Sequence, residues 1–300
     1  MERAVGDRVR LVDAGPRATV DVTVVMPAMN RAHLIGRALG SITAGSVQPK
    51  AVVVVDDAST DDTVAVARAH GATVIELPVN GGSGPARNRG IEAAGTEWIA
   101  FLDSDDAWHP EHLETVLAKA GDHVLVAGPG SSTGGRLLGN AWHRDLEVGS
   151  IDLLAPGDLV CTSGTIVRRQ ALLDAGLFRP LRRAQDLDMW VRVLQQGTGL
   201  ALAAPTFTYF LHEQQAINDT ALMRECYAKI VEDCARQPWF SARDADKAFA
   251  KWRWDDLRTA QRSRDAGALV REGAWFLRRP HTWRPLTTLL RGRRMSRARG

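Results

Sequence analysis

The sequence predicts an α/β fold: a mostly parallel sheet flanked by helices, followed by a helical, basic C-terminal extension. Three observations carry this. Short β-branched runs alternate with helical patterns through the first 125 residues, which is the signature of βαβ units. Residues 52–55 are continuously apolar, as a strand covered on both faces requires. Four successive strand ends carry polar residues, and in open α/β sheets ligands bind beyond the carboxyl ends of the strands.

The elements follow in order. A strand over residues 22–26 runs into Pro27, Ala28, Met29 and Asn30. Leu34, Ile35, Leu39 and Ile42 then recur at helical spacing, and Gly45 closes that helix. The second strand, 51–55, ends in Asp56 and Asp57. Ser59 and Asp62 have the spacing of a capping box for a helix ending before Gly71. The third strand, 73–77, leads to Pro78, Val79 and Asn80, and Pro85 suits the first position of a helix running to Ala94. The fourth, 98–102, delivers Asp103, Ser104, Asp105 and Asp106. Pro110 opens a helix with Leu113, Val116 and Leu117, stopped by Gly121, before a fifth strand at 123–127. Residues 128–135 read as a loop. From Thr162 the pattern resumes with a short segment at 164–167, a helix over 168–175 closed by Gly176, and a helix through Leu187, Trp190, Val191 and Leu194. Residues 200–212 hold another strand or two. Beyond Asn218 the chain reads as helical and basic.

Composition removes several classes. At 45% hydrophobic and 24% charged, with 27 Gly and 13 Pro in 300 residues, the chain is neither disordered, collagen-like nor a small disulfide scaffold. No apolar run approaches the roughly 18 residues that span a bilayer, and the first 20 residues do not read as a secretory signal. Cys161, Cys226 and Cys234 are few and odd in number, so they are expected to be free thiols in a cytoplasmic setting. The net charge of +3 is asymmetric: residues 251–300 balance at +10 and the rest at −7.

Asp103 and Asp105, one residue apart at a strand end, can both reach one hard cation, for which oxygen ligands suit Mg²⁺ or Mn²⁺. The alternative is an Asp-rich turn capping the helix at Pro110. The second acidic pair, Asp56 and Asp57, and the segment 80–90 favour the cation. That segment is a Gly-rich loop entering a helix, a place where backbone N–H groups and a helix N-terminus approach phosphate, with Arg87 and Arg89 adding charge. It is neither a dinucleotide fingerprint nor a P-loop.

Residues 22–30 (VTVVMPAMN), 53–63 (VVVDDASTDDT), 80–90 (NGGSGPARNRG) and 101–106 (FLDSDD) resemble, in order and spacing, the successive motifs of family 2 glycosyltransferases with the GT-A fold. The resemblance covers residues 20–215 and implies an inverting, metal-dependent transferase. By it, Pro27, Ala28 and Asn30 line the nucleotide site, Asp56 and Asp57 read base and ribose, and Arg87 lies beside the diphosphate. Asp103 and Asp105 hold Mn²⁺ or Mg²⁺, with Ser104 between them on the nucleotide. Residues 185–190 (QDLDMW) resemble a Glu-Asp-x-Asp-x-Trp segment. That makes Asp186 the general base, with Asp188 as second choice and Gln185 in place of the usual Glu. Residues 209–212 (YFLH) resemble Tyr-Arg-x-His, so His212 is carried over as a metal neighbour while Phe210 departs from the pattern. His109 and His112, three apart, are more simply placed on the first turn of the helix after Pro110.

The implied partners are a nucleotide-diphosphate sugar, a UDP-sugar first, and a glycan or lipid-linked acceptor. The expected division is a catalytic region at 1–215 and a helical, basic region at 216–300. In the latter, Trp252, Trp254, Trp275 and Trp283, the stripe Leu286, Leu289 and Leu290, and the following arginines suit either an anionic membrane surface or packing on the domain. A peripheral place at the inner face of the membrane goes with the first option. Nucleic acid is not expected, because no base-reading module accompanies the charge. The competing readings are another nucleotide-binding α/β enzyme, such as a nucleotidyltransferase, and a non-catalytic binding module of the same fold.

Overall fold

The computed structural model describes residues 17–135, 137–139, 144–154, 160–211 and 220–282. The first half alternates as expected: β1 (Thr19–Ala28), α1 (Ala32–Thr43), β2 (Gln48–Asp56), α2 (Thr63–Ala69), β3 (Thr73–Glu76), α3 (Ser83–Ala93) and β4 (Trp98–Phe101). Next come β5 (Ala107–Trp108), α4 (His112–Ala118), β6 (Leu125–Ala127), β7 (Gly130–Ser132), β8 (Leu137–Leu138), β9 (Leu146–Val148) and α5 (Ser150–Leu154). A 3-10 turn (Thr162–Gly164) precedes β10 (Thr165–Arg168), α6 (Arg169–Asp174), α7 (Gln185–Val193), β11 (Gly199–Ala201) and β12 (Phe207–Tyr209). Helices α8 (Thr220–Ala235), α9 (Ala242–Ser263) and α10 (Ala266–Leu277) close the described chain, with a last 3-10 turn at Pro280–Thr282.

The main sheet has the order β3-β2-β1-β4-β10-β6-β11-β9. Strands β3, β2, β1 and β4 run parallel. Strand β10 lies antiparallel between β4 and β6, an insertion the sequence pattern did not reveal. Both faces are buried. Val22, Val24 and Met26 of β1 join one core with Ile35, Leu39 and Ile42 of α1, while Val25 joins another with Ile99, Phe101, Val167 and Trp190. Alternate residues of one strand thus serve opposite layers, which explains the unbroken apolar runs. Helix α3 lies so close on β1 that a Cβ at Gly90 would fall 2.5 Å from Val25 Cγ1.

Three expectations change. Residues 128–135 are not all loop, because β7 pairs with β12 and β8 in a small second sheet of order β5-β12-β7-β8. Strands this short carry too little pattern to read. Ser59 and Asp62 form no capping box: α2 starts at Thr63, and Asp61 accepts the Thr63 N–H at 3.0 Å and the Ala32 N–H at 3.1 Å. Pro85 is the third residue of α3, still within the first turn where no N–H is needed.

The C-terminal helices pack on the α/β body. Tyr227, Ile230, Val231 and Cys234 of α8, with Phe240 and Ala248, belong to the same core as Phe101 and Trp190. Tyr227 Oη lies 2.5 Å from the Leu154 carbonyl and 2.8 Å from the Ala248 carbonyl, so its one O–H is shared between them. Trp254 and Trp275 pack around Ala250 and Phe276, and Trp252 packs against the main core. Trp283, Leu286, Leu289 and Leu290 lie outside the described residues. No described helix is long and apolar enough to cross a membrane. No disulfide joins Cys161, Cys226 or Cys234.

Candidate active site

The carboxyl ends of β1, β2 and β4 meet at one rim. Register pairs Ala28 with Asp56, and Leu102 N–H reaches Val25 O, so the segments after each strand converge. Pro27 and Ala28 are buried at the end of β1. Asn30 adopts a left-handed φ of 52°, which Asn tolerates better than most residues. Its Oδ1 accepts the Thr60 N–H at 2.8 Å and its own N–H donates to Ser59 Oγ at 2.8 Å. Asp56 is buried; one oxygen accepts the Ser59 N–H at 2.9 Å, and Oδ1 has no hydrogen-bond partner among the described residues. A buried acceptor left open in this way is costly unless something else completes it.

The Gly-rich loop differs from its expected use. Gly81 and Gly82 both donate their N–H groups to the Asp57 carboxylate, each at 2.7 Å. These amides therefore fix the loop on the protein's own carboxylate and are not turned toward a phosphate. Arg89 also leaves the site: it pairs with Glu92 on the outer surface of α3 at 2.9 Å. Arg87 turns inward, with 8% of its side chain exposed, and donates to Asp103 Oδ1 at 2.6 Å over the ring of Phe178.

Three further carboxylates, Asp105, Asp106 and Asp186, lie close enough to influence this pair. Asp103 keeps 32% of its side chain open, yet loss of surrounding water pushes it above the ordinary range. Arg87 opposes that rise, and the charges of Asp105 and Asp186 add to it. Ser104 is buried. Asp106, which motif reading passed over, is buried beside Ser163 and the Phe210 N–H. Burial first, then the charges of Asp103 and Asp105, pushes it up to about 8. Tyr209 is pushed up to about 12 by burial and the same three aspartates, which places it on the rim. Arg37 of α1, also missed, donates to the Asp105 carbonyl at 2.6 Å and stacks 3.5 Å from the Phe210 ring centre. Its exposed position on α1 carries no sequence signal.

Asp186 sits in the first turn of α7, where the helix dipole favours a carboxylate. Thr162 Oγ1 donates to its Oδ2 at 3.1 Å, and the Leu187 N–H to its Oδ1 at 2.9 Å. Asp188 is not available as a base. It is 1% exposed and held by both Arg179 and Arg192. Gln185 accepts from Ser83 at 3.3 Å and bonds back to Leu181 O, linking α7 to the start of α3. His112 is wholly buried and stacked on Trp108, 4.2 Å between ring centres. His109 bonds Pro205 O and Thr208, so the two histidines do not share a ligand. His212 lies outside the described residues.

Residues 23–176 match the family model for glycosyl transferase family 2. The chain belongs to that family. The chain is 30% identical over 213 residues to the succinoglycan biosynthesis protein ExoU of Rhizobium meliloti, covering 60% of this chain and 58% of ExoU. It is 27% identical over 247 residues to the teichuronic acid biosynthesis glycosyltransferase TuaG of Bacillus subtilis, covering 78% and 92%. Against ExoU and the related ExoO it spans only 58% and 30% of the relative's length. Its fold matches S. aureus TarS 1-349, solved with UDP-GlcNAc, at a TM-score of 0.63 and 22% identity, covering 77% of this chain and 70% of that one. The GT-A fold is thereby established.

Proposed function

We propose that this glycosyltransferase moves a sugar, with inversion, from a nucleoside-diphosphate donor to an acceptor hydroxyl on a growing glycan or lipid-linked saccharide. The observation that carries this is the pairing of buried Arg87 with the partly open Asp103, set among Asp105, Asp106 and Asp186. Arg87 faces Asp103 and Arg37 reaches the Asp105 carbonyl, and two carboxylates one residue apart at a strand end suit a hard divalent cation, Mn²⁺ or Mg²⁺, on the oxygens of Asp103 and Asp105. Among the described residues no three metal-binding side chains are already gathered, so donor phosphate oxygens would complete the shell. When bound, the ion would neutralise charge on the departing diphosphate.

The protein's own groups do the rest. Pro27, Ala28 and Asn30 form the floor of the nucleotide pocket, and the open Oδ1 of Asp56 accepts from the base or ribose. Asp57 holds the Gly-rich loop in place, and Ser104 closes the pocket beneath the phosphates. Arg87 stabilises the leaving diphosphate. Asp186 takes the proton from the attacking hydroxyl.

UDP is the nucleotide favoured by the complex of TarS with UDP-GlcNAc, and a polysaccharide acceptor by the names of ExoU and TuaG. Residues 1–215 form the catalytic region and 216–300 an accessory one. On α10, Val270 and Leu277 are 72% and 77% exposed on one face near Arg271 and Arg278. With the +10 balance of residues 251–300, this supports peripheral binding at the inner, anionic face of a membrane. Calorimetric titration with UDP, with and without Mn²⁺, tests the site. Tight binding only with the ion is expected; indifference to the ion sinks the reading.

A further inference from the structure

Thr162 and Ser163 stand side by side in the 3-10 turn before β10, and their hydroxyls serve different partners. Thr162 Oγ1 donates to Asp186 Oδ2 at 3.1 Å. Ser163 Oγ accepts the Asp103 backbone N–H at 3.2 Å and donates to Asp106 Oδ2 at 2.5 Å. The turn itself is fixed from several sides. Trp108 Nε1 donates to Ser163 O at 2.6 Å, Thr165 Oγ1 to Cys161 O at 2.7 Å, and Gly128 N–H to Gly164 O at 2.9 Å. A Cβ at Gly164 would lie 2.1 Å from Gly128 O, so the backbones touch there. Thr162, Ser163 and Gly164 are all buried.

We propose that this turn is a positioning element that sets α7 against the acidic loop after β4, Thr162 fixing Asp186 and Ser163 fixing the loop. The inference rests on the function proposed above, with Asp186 as base and Asp103 and Asp105 at the cation. Among the described residues, the other Asp186 oxygen accepts the next residue's N–H within α7. Thr162 is therefore what ties this carboxylate to the rest of the site among the described hydrogen bonds. The Asp103 N–H and the Asp106 carboxyl both close on the Ser163 oxygen, so one atom holds two ends of the Asp103–Asp106 turn. Neither hydroxyl needs to touch substrate. Each acts through the carboxylate or loop that it places, and an error of about 1 Å at such a point can cost 100-fold in rate.

The assignments are separable. Thr162→Val keeps the shape and loses the donor. Its kcat for UDP release from UDP-GlcNAc or UDP-glucose is expected to fall about 10- to 100-fold, with KM and Mn²⁺-dependent UDP binding within about twofold of the parent. Thr162→Ser restores kcat to within about threefold. Added to Asp186→Asn, Thr162→Val costs nothing further. Ser163→Ala shows the opposite split, weakening Mn²⁺-dependent UDP binding, read by calorimetry on the free protein, about tenfold.

If Thr162→Val turns over like the parent while Asp186→Asn is dead, the positioning role is overturned and the base assignment stands. If both turn variants lose rate and binding together, in step with the folded fraction in a melting curve, the turn is merely structural. If Asp186→Asn itself keeps full turnover, the underlying functional reading fails, and this inference with it.

Discussion

Asp103 and Asp188 both face arginine, Asp103 partly open and Asp188 fully buried, and their neighbourhoods treat the charge in opposite ways. Asp188 meets two guanidinium groups, Arg179 and Arg192, the latter at 2.7 Å, and Arg179 is shared with Asp233. Positive charge there matches the carboxylates, and nothing further is called for. Asp103 meets one, Arg87 at 2.6 Å, and shares it with the fields of Asp105 and Asp186. Burying like charges without compensation is expensive, so the first knot ties helices together, and the second is where the function proposed above would place a cation. Two aspartates two residues apart on α7, Asp186 and Asp188, fall on either side of this divide.

The strongest test replaces Asp186 by Asn. Loss of about 10³-fold in turnover, about 4 kcal/mol in the barrier, is expected with an unchanged melting curve. Removing Asp188 as Ala should do the reverse. Breaking a buried pair and leaving two arginines unmatched costs about 3 kcal/mol of stability in chemical denaturation, while activity per folded molecule survives. An inactive but fully stable Asp188→Ala would erase the distinction. Next, Mn²⁺ with UDP at about 100 times its Kd should stabilise the protein by about 2.7 kcal/mol. Asp103→Asn should lose that gain and Asp188→Ala keep it, as read by thermal melting.

A smaller effect concerns His112. Burial first, then the charge of His109, lowers it to about 3, so the folded protein keeps the ring neutral where the unfolded chain takes up a proton below about 6.5. The stability from this residue is complete above that pH and drains away as pH falls toward 3, at up to about 1.4 kcal/mol per unit. His112→Phe should flatten the slope between pH 7 and 5 in urea titrations. The least effect is expected from Arg89→Ala, which breaks an exposed pair on α3 and should change stability by no more than about 0.5 kcal/mol.

The first four strands were legible because β1, β2 and β4 carry long buried apolar runs, the half-exposed edge strand β3 still alternates around Val74 and Ile75, and a helical segment separates each from the next. The rim was legible for a related reason: Asp56 ends β2 and Asp103 comes just after β4, while Arg87 is carried on α3 behind the Gly-rich loop. What stayed hidden depends on distant pairing. Strand β10 enters between β4 and β6 from far along the chain, and the second sheet is made of strands of two or three residues. Ser163 reaches Asp106 across 57 residues, and a lone Thr-Ser pair announces nothing. The Gly-rich loop misled in a particular way, since glycine amides suited to an anion were already claimed by Asp57.

Tyr227 ties α8 to the backbone of both α5 and α9. Anyone trimming the chain after residue 215 to obtain a smaller enzyme would strip the cover from one side of the sheet and strand the Leu154 carbonyl without its donor. The trailing helices therefore travel with the fold as part of its foundations, and a workable short form has to be sought at their far end.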